Sequence, residues 1–374
     1  MKKKALAAAV AAVILLSGCS VNSNNTPSEQ VSQEDSTTAN TSSNSGETSS
    51  DTSLYTESKV SPDPVSEQDK YANAPAPMFA SNTMPEDYST EPVPFKAEID
   101  EFYKQVKEMS VPIEDKQTYN SYINSGFSVR KLEIDGIPLY EVKKEGSEPK
   151  PLVILLHPGF QYKNLEEAAA LAAAEDVCMV TIDCSGSGES QDGPIQAPAA
   201  FMETVKDIDV LIEYYNTVPD VDAANFGLMG RSLGGNITMY YVLYGKYKPT
   251  AINVMNTSAD LTGEGPVWDC FDKGVNQQPP IWTEEQLKSF STATRALNHP
   301  EYFEDIWVYA CCGELDDTHS PVNMKKLCQA IEGLGSEKVV YHLYEGVGHE
   351  TPQSWLDNEQ KEFFSIMRSQ TGEQ

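Results

Sequence analysis

The sequence predicts an α/β fold, a mostly parallel, doubly wound sheet with an antiparallel N-terminal edge and a small lid insertion. Three observations predict it. From about Pro94 onward, short apolar runs alternate with helix-length segments, the pattern of a parallel sheet covered on both faces. The first two strand-like runs, FSVRKLEI and IPLYEVKK, flank Asp135-Gly136, a hairpin turn signal that makes this edge antiparallel. One stretch, residues 261–300, breaks the alternation directly after a strand and carries Trp268, Phe271, Trp282 and Phe290. An insertion of that size at a strand's carboxyl end suits a lid, because ligands bind at that end of such sheets.

The elements follow in order. FKAEIDEFYKQVKEM has a helical pattern. After the hairpin, PLVILLH is a short apolar run, read as a buried strand, and NLEEAAALAAAE is helical by propensity. VCMVTID and FMETVKDIDVLIEYYN give the next strand and helix. NFGLMG is a strand, followed by a helix from about Leu233. AINVMN and IWVYACC are further strands. SPVNMKKLCQAIEGLG is a helix ending at glycine, KVVYHLY a strand and QKEFFSIMRSQ a closing helix.

Ahead of this domain (residues 78–374) lie two segments of different character. Residues 1–18 read as an export signal: Lys2, Lys3 and Lys4 form a positive start, and Ala5 to Leu16 is apolar but shorter than the ~20 residues of a membrane span. The signal ends in LSGC, which resembles the lipobox of bacterial lipoproteins. That resemblance implies cleavage before Cys19 and a lipid on its thiol, so the protein is expected to be exported and held at the membrane by its anchor. Residues 19–77 are rich in Ser, Thr and Asn and poor in aliphatics. Such composition buries too little apolar surface to offset chain entropy, and a disordered tether reaching roughly 40 Å is expected.

With 27 Lys and Arg against 56 Asp and Glu, the formal net charge is −29. A surface this acidic repels nucleic acid and anionic headgroups. Membrane contact is therefore expected through the lipid and not through a basic patch. Of seven cysteines, six remain beyond Cys19. Their spacing matches neither a disulfide framework nor paired zinc knuckles; Cys178, Cys311 and Cys312 lie in apolar runs and suit buried small side chains.

The chemistry concentrates at Gly230-Arg231-Ser232-Leu233-Gly234. Alone, this pentapeptide could be a glycine-rich turn. Its setting between an apolar strand and a helical run is that of a nucleophile elbow, in which a serine sits on a sharp, strained strand-to-helix turn. Glycines two residues to either side avoid collision, and the helix start favours developing negative charge. A serine hydroxyl needs a base. His349, in the glycine-containing loop after the last strand, is the candidate among five histidines. His342 lies within a strand, His157 precedes a different loop, His299 falls in the expected lid, and His319 comes just after the acid candidates. An imidazole needs a carboxylate to hold its tautomer. Asp316 is the candidate, with Asp317 the alternative.

The order Ser232, Asp316, His349, together with HPGF after one strand and DCSGSGES after the next, resembles the α/β-hydrolase superfamily from about Phe127 to Met367. It resembles the loosely defined esterase and peptidase members, including those grouped with prolyl oligopeptidases and proline iminopeptidases. The resemblance implies an oxyanion hole from the Leu233 amide and an amide of the HPGF loop. Pro158 has no N–H; Phe160 is the first choice and Gly159 the second. HPGF departs from the commoner HG-G and HGF patterns of the superfamily. The implied activity is hydrolysis of small-molecule carboxylic esters without metal or organic cofactor. The alternatives are cleavage of short peptides, for which Glu264, Asp269 and Asp272 could bind an amine, and a non-catalytic binding role. The sequence leaves the oligomeric state open.

Overall fold

The computed structural model describes residues 57–60, 126–146, 148–159, 161–190, 199–257, 296, 299–316, 318–319 and 321–370. Among the described residues nine strands form one sheet: β1 (Glu57–Val60), β2 (Phe127–Ile134), β3 (Ile137–Lys144), β4 (Lys150–Leu156), β5 (Cys178–Ile182), β6 (Val221–Arg231), β7 (Ala251–Met255), β8 (Trp307–Gly313) and β9 (Val339–Tyr344). Their spatial order is β1-β2-β3-β5-β4-β6-β7-β8-β9. The β2–β3 hairpin pairs antiparallel, as Asp135-Gly136 predicts, and both turn residues have positive φ. β3 is also antiparallel to β5, and every pair from β5 to β9 is parallel.

The α-helices among the described residues are α1 (Leu165–Glu175), α2 (Ala199–Tyr215), α3 (Leu233–Tyr244), α4 (Pro321–Gly333), α5 (Gln353–Asp357) and α6 (Glu359–Ser369). Asn164 starts α1 by accepting a bond from the Glu167 amide, the usual device for an orphan N–H. β4 shows why the sheet must be covered twice. Leu152, Ile154 and Leu156 point into a core with Ile208 and Leu211 of α2, Ile237 and Tyr240 of α3, and Leu327 of α4. Val153 and Leu155, on the other face, pack with Ala168, Ala169 and Ala172 of α1 and with Phe363, Phe364 and Met367 of α6. A strand buried on both faces reads as an unbroken apolar run, and so PLVILL does.

Two findings depart from the sequence reading. Residues 57–60, expected within the disordered tether, form β1, which pairs parallel to β2 at the sheet edge. Edge pairing draws on backbone donors and acceptors, so the polar ESKV carries no compositional sign of it. β6 also starts earlier than NFGLMG, at Val221, with a register shift opposite Pro151/Leu152. The rest of the proposed tether, the helix in FKAEIDEFYKQVKEM and nearly all of the 261–300 insertion lie outside the described residues. No described helix is long and apolar enough to cross a membrane.

Parallel strands end on one rim. The loops after β4, β6, β7, β8 and β9 therefore share that rim, where ligands bind in open α/β sheets.

Candidate active site

Ser232 separates β6 from α3. Its backbone stands at φ 54, ψ −118, and its side chain makes no capping bond to the helix. Positive φ is uncommon for a residue with a Cβ. Three hydrogen bonds hold it there: Ser232 N–H donates to the Met255 carbonyl (2.9 Å), and the Ser232 carbonyl accepts from Asn236 N–H (3.0 Å) and Thr257 Oγ1 (3.1 Å). The flanking glycines have a steric reason. A Cβ on Gly230 would overlap the backbone of Gly234, and a Cβ on Gly234 would overlap the carbonyls of Leu156 and His157. Gly235 likewise has no room for a Cβ against Thr257. The start of α3 thus lies hard against the loop leaving β4.

A central strand running into a serine at such a turn, in a sheet of this order and with a reversed β3, decides the architecture. The fold is the α/β-hydrolase fold. The rim loops next to Ser232 are joined by identifiable bonds.

After β8, Asp316 is buried. Its Oδ2 accepts from His349 Nδ1 at 2.8 Å, and its Oδ1 accepts from the amides of Thr318 (2.9 Å) and His319 (2.8 Å). Burial alone would raise this carboxyl's pKa; the bonds from His349 and the His319 amide outweigh it, so Asp316 lies below the ordinary carboxylate value. The loops after β8 and β9 are laced together. Glu314 N–H donates to the Tyr344 carbonyl and Leu315 N–H to the Val347 carbonyl. Gly313 has to be glycine here, because a Cβ would overlap the Val347 and Gly348 carbonyls.

The five histidines separate cleanly. His299 and His342 are half-exposed and pair with Glu301 and Glu359. His157 is buried. Its Nε2 accepts from the Cys184 amide (2.9 Å) and its Nδ1 lies 2.7 Å from the Pro158 carbonyl. The amide fixes Nε2 as acceptor and so places the proton on Nδ1. Burial lowers its pKa, which keeps the ring neutral. In the sequence His319 merely follows the acid candidates, yet its ring lies 5.3 Å, centroid to centroid, from that of His349. Burial first, and then the charge of His349, push its pKa down to about 3. Nothing in its spacing could have shown this, since the contact crosses between two loops.

Of the residues singled out in the sequence, Asp316 and His349 are thus hydrogen-bonded. Ser232 and the His349 loop both abut the turn leaving β7: Met255 accepts from Ser232, and Asn256 Nδ2 donates to the carbonyl of Glu350, next to His349. Gly159 faces Leu233, a Cβ on it falling 3.8 Å from Leu233 Cβ. Phe160, Asp317, Cys19, Glu264, Asp269 and Asp272 lie outside the described residues. Cys178, Cys184, Cys311, Cys312 and Cys328 are buried free thiols. Among the described residues no group of three or more His, Cys, Asp or Glu side chains could hold a metal.

No family model and no curated protein matches the chain. Solved structures do. Acetyl xylan esterase 1 from Thermoanaerobacterium sp. JW/SL YS485 is 15% identical with a TM-score of 0.48, over 81% of this chain and 98% of that one. An esterase from Pyrobaculum calidifontis is 16% identical at 0.47, over 75% and 100%. Dipeptidyl peptidase 4 from Porphyromonas gingivalis is 16% identical at 0.48, over 68% of this chain and 38% of that one. Likeness at this distance says nothing of chemistry.

Proposed function

We propose that the protein is a serine hydrolase that cleaves carboxylic esters of small molecules through an acyl-enzyme. One observation carries the reading: the 2.8 Å bond from His349 Nδ1 to Asp316 Oδ2, on a loop that abuts the same turn as Ser232. The bond puts the imidazole proton on Nδ1 and leaves Nε2 as the lone-pair nitrogen. Nε2 then takes the proton of Ser232 Oγ as that oxygen attacks the acyl carbonyl. Asp316 stabilises the imidazolium that forms.

The tetrahedral oxyanion is received by the Leu233 amide at the amino end of α3, whose dipole favours negative charge. The second donor is an amide of the loop after β4, from Phe160 or Gly159. The imidazolium returns its proton to the leaving alcohol, and the same base then activates water against the acyl-enzyme. Esters are the first choice because their leaving group needs the least assistance. The chemistry calls for no cofactor. Export, and a lipid on Cys19 that keeps the domain at a membrane surface, complete the proposal.

The test is labelling by a fluorophosphonate, followed by turnover of short-chain p-nitrophenyl esters beside aminoacyl amides. Wild type is expected to be labelled, with the label lost in Ser232→Ala and esters turned over faster. A folded but unlabelled wild type overturns the enzymatic reading; preference for amides moves the activity to peptidase.

A further inference from the structure

We propose that Asn256 is a positioning residue that holds the His349 loop against the serine elbow. The inference rests on the reading of Ser232 and His349 as nucleophile and base, and extends it to a third residue outside that pair.

Asn256 is the first residue beyond β7. It is fully buried and stands at φ 50. Asparagine is among the few residues with a Cβ that adopt this left-handed conformation readily. At the end of a strand it turns the side chain away from the line of β7. That side chain then makes two bonds to consecutive residues directly after His349: Nδ2 donates to the Glu350 carbonyl at 3.0 Å, and Oδ1 accepts from Thr351 Oγ1 at 2.8 Å. A carbonyl can only accept, so the amide nitrogen must face Glu350, and this fixes which way the planar amide lies. Two bonds from one rigid plane set both the place and the tilt of the loop.

The same turn reaches the other two loops. The Asn256 amide donates to the Cys311 carbonyl of β8 (2.8 Å), on the strand that leads to Asp316. Its neighbours Met255 and Thr257 hold Ser232 by its N–H and its carbonyl. Cys312 Sγ lies 3.5 Å from the Thr257 carbonyl. Residues 255–257 therefore contact the carriers of nucleophile, acid and base together. Among these bonds only those from the Asn256 side chain hold the segment after His349, whereas the segment before it is tied to the β8 loop by Leu315 N–H to the Val347 carbonyl, and His349 itself by Asp316. Reacting groups must stay aligned to a fraction of an ångström, and a 1 Å misplacement costs about 10²-fold in rate. A loosened His349 should therefore lower kcat while leaving substrate binding alone.

The experiment compares three variants with wild type for kcat, KM, melting temperature and fluorophosphonate labelling rate. Asn256→Gly accepts the same φ and deletes both bonds. Asn256→Asp keeps the Thr351 acceptor but sets a carboxylate oxygen against the Glu350 carbonyl. Thr351→Val removes one hydroxyl and keeps the bond to Glu350. The expected result is a fall in kcat of about 10–100-fold for both Asn256 variants, with KM within about threefold, and a fall of only a few-fold for Thr351→Val. If Asn256→Gly does not fold, the contrast between Asn256→Asp and Thr351→Val decides. Wild-type kcat and labelling rate in the folded Asn256 variants would overturn the inference while the hydrolase reading stands. A wild type that takes no label removes the hydrolase reading itself.

Discussion

At the residue scale, Ser232 stands where chemistry and stability disagree. A side chain at φ 54, ψ −118 carries backbone strain of about 1–3 kcal/mol, which the bonds to Met255, Asn236 and Thr257 sustain. Glycine relieves that strain but adds about 0.5–1 kcal/mol of chain entropy to be lost on folding. Ser232→Gly should therefore be as stable as wild type, or more stable by about 1 kcal/mol, while losing all fluorophosphonate labelling. Chemical denaturation measures this directly; a loss of more than about 1 kcal/mol would show that the hydroxyl supports the fold and that the turn is not strained. The same logic explains why the pentapeptide was readable. Glycine at 230 and 234 is demanded by backbone contacts on either side of the serine, and such demands leave a mark in sequence. Asn256 leaves none, because its two side-chain bonds go to residues 94 and 95 positions away.

At the scale of elements, legibility followed burial. β4 and β5 are buried along almost their whole length, so each is an apolar run that needs no partner to be recognised. The alanine-rich α1 declared itself by propensity; the bond from the Glu167 amide to Asn164 that starts it is a finding of the structure. β1 did not, since an edge strand is defined by backbone pairing with β2, and the five-residue α5 is too short for any periodicity. Gly227, inside β6, shows a packing demand of another kind. A Cβ there would lie 2.9 Å from Met367 Sδ and 3.0 Å from Phe363 Cζ, so the glycine lets α6 approach the central strand. Gly227→Ala should lose about 1–3 kcal/mol from overpacking. Met367 is flexible and Phe363 is not, so part of the loss should return when Met367 is shortened. In a double-mutant cycle with Met367→Ala the two losses should sum to more than the double variant shows; strict additivity would mean that the helix moves as a whole.

At the scale of the molecule, the rim collects side chains from distant parts of the chain, and their titration is felt by the whole fold. Strand-end position and chain order pointed to Ser232, Asp316 and His349. The same reasoning passed over His319, because its closeness to His349 follows from how the β8 and β9 loops pack. Its consequence is thermodynamic. Folding drives the His319 pKa down to about 3, from an unfolded value of about 6.5. Between those values the unfolded chain binds a proton that the folded chain refuses. The stability contribution is complete above about pH 6.5 and declines as pH falls toward 3, with a slope of up to about 1.4 kcal/mol per pH unit for one proton. Asp316 acts in the same direction at lower pH. Its folded pKa is depressed, so its contribution is present above the unfolded value of about 3.9 and is lost as pH falls through the folded one. The interval from pH 6.5 to 4.5 therefore isolates the histidines from Asp316. His157, also buried with a lowered pKa, keeps its share of the slope when His319 is replaced. His319→Gln should flatten unfolding free energy against pH across that interval by up to one proton's worth, whatever it does to stability at pH 7. Denaturant melts at half-unit steps give the two slopes, and equal slopes would mean that His319 takes up its proton in the folded protein as readily as in the unfolded chain.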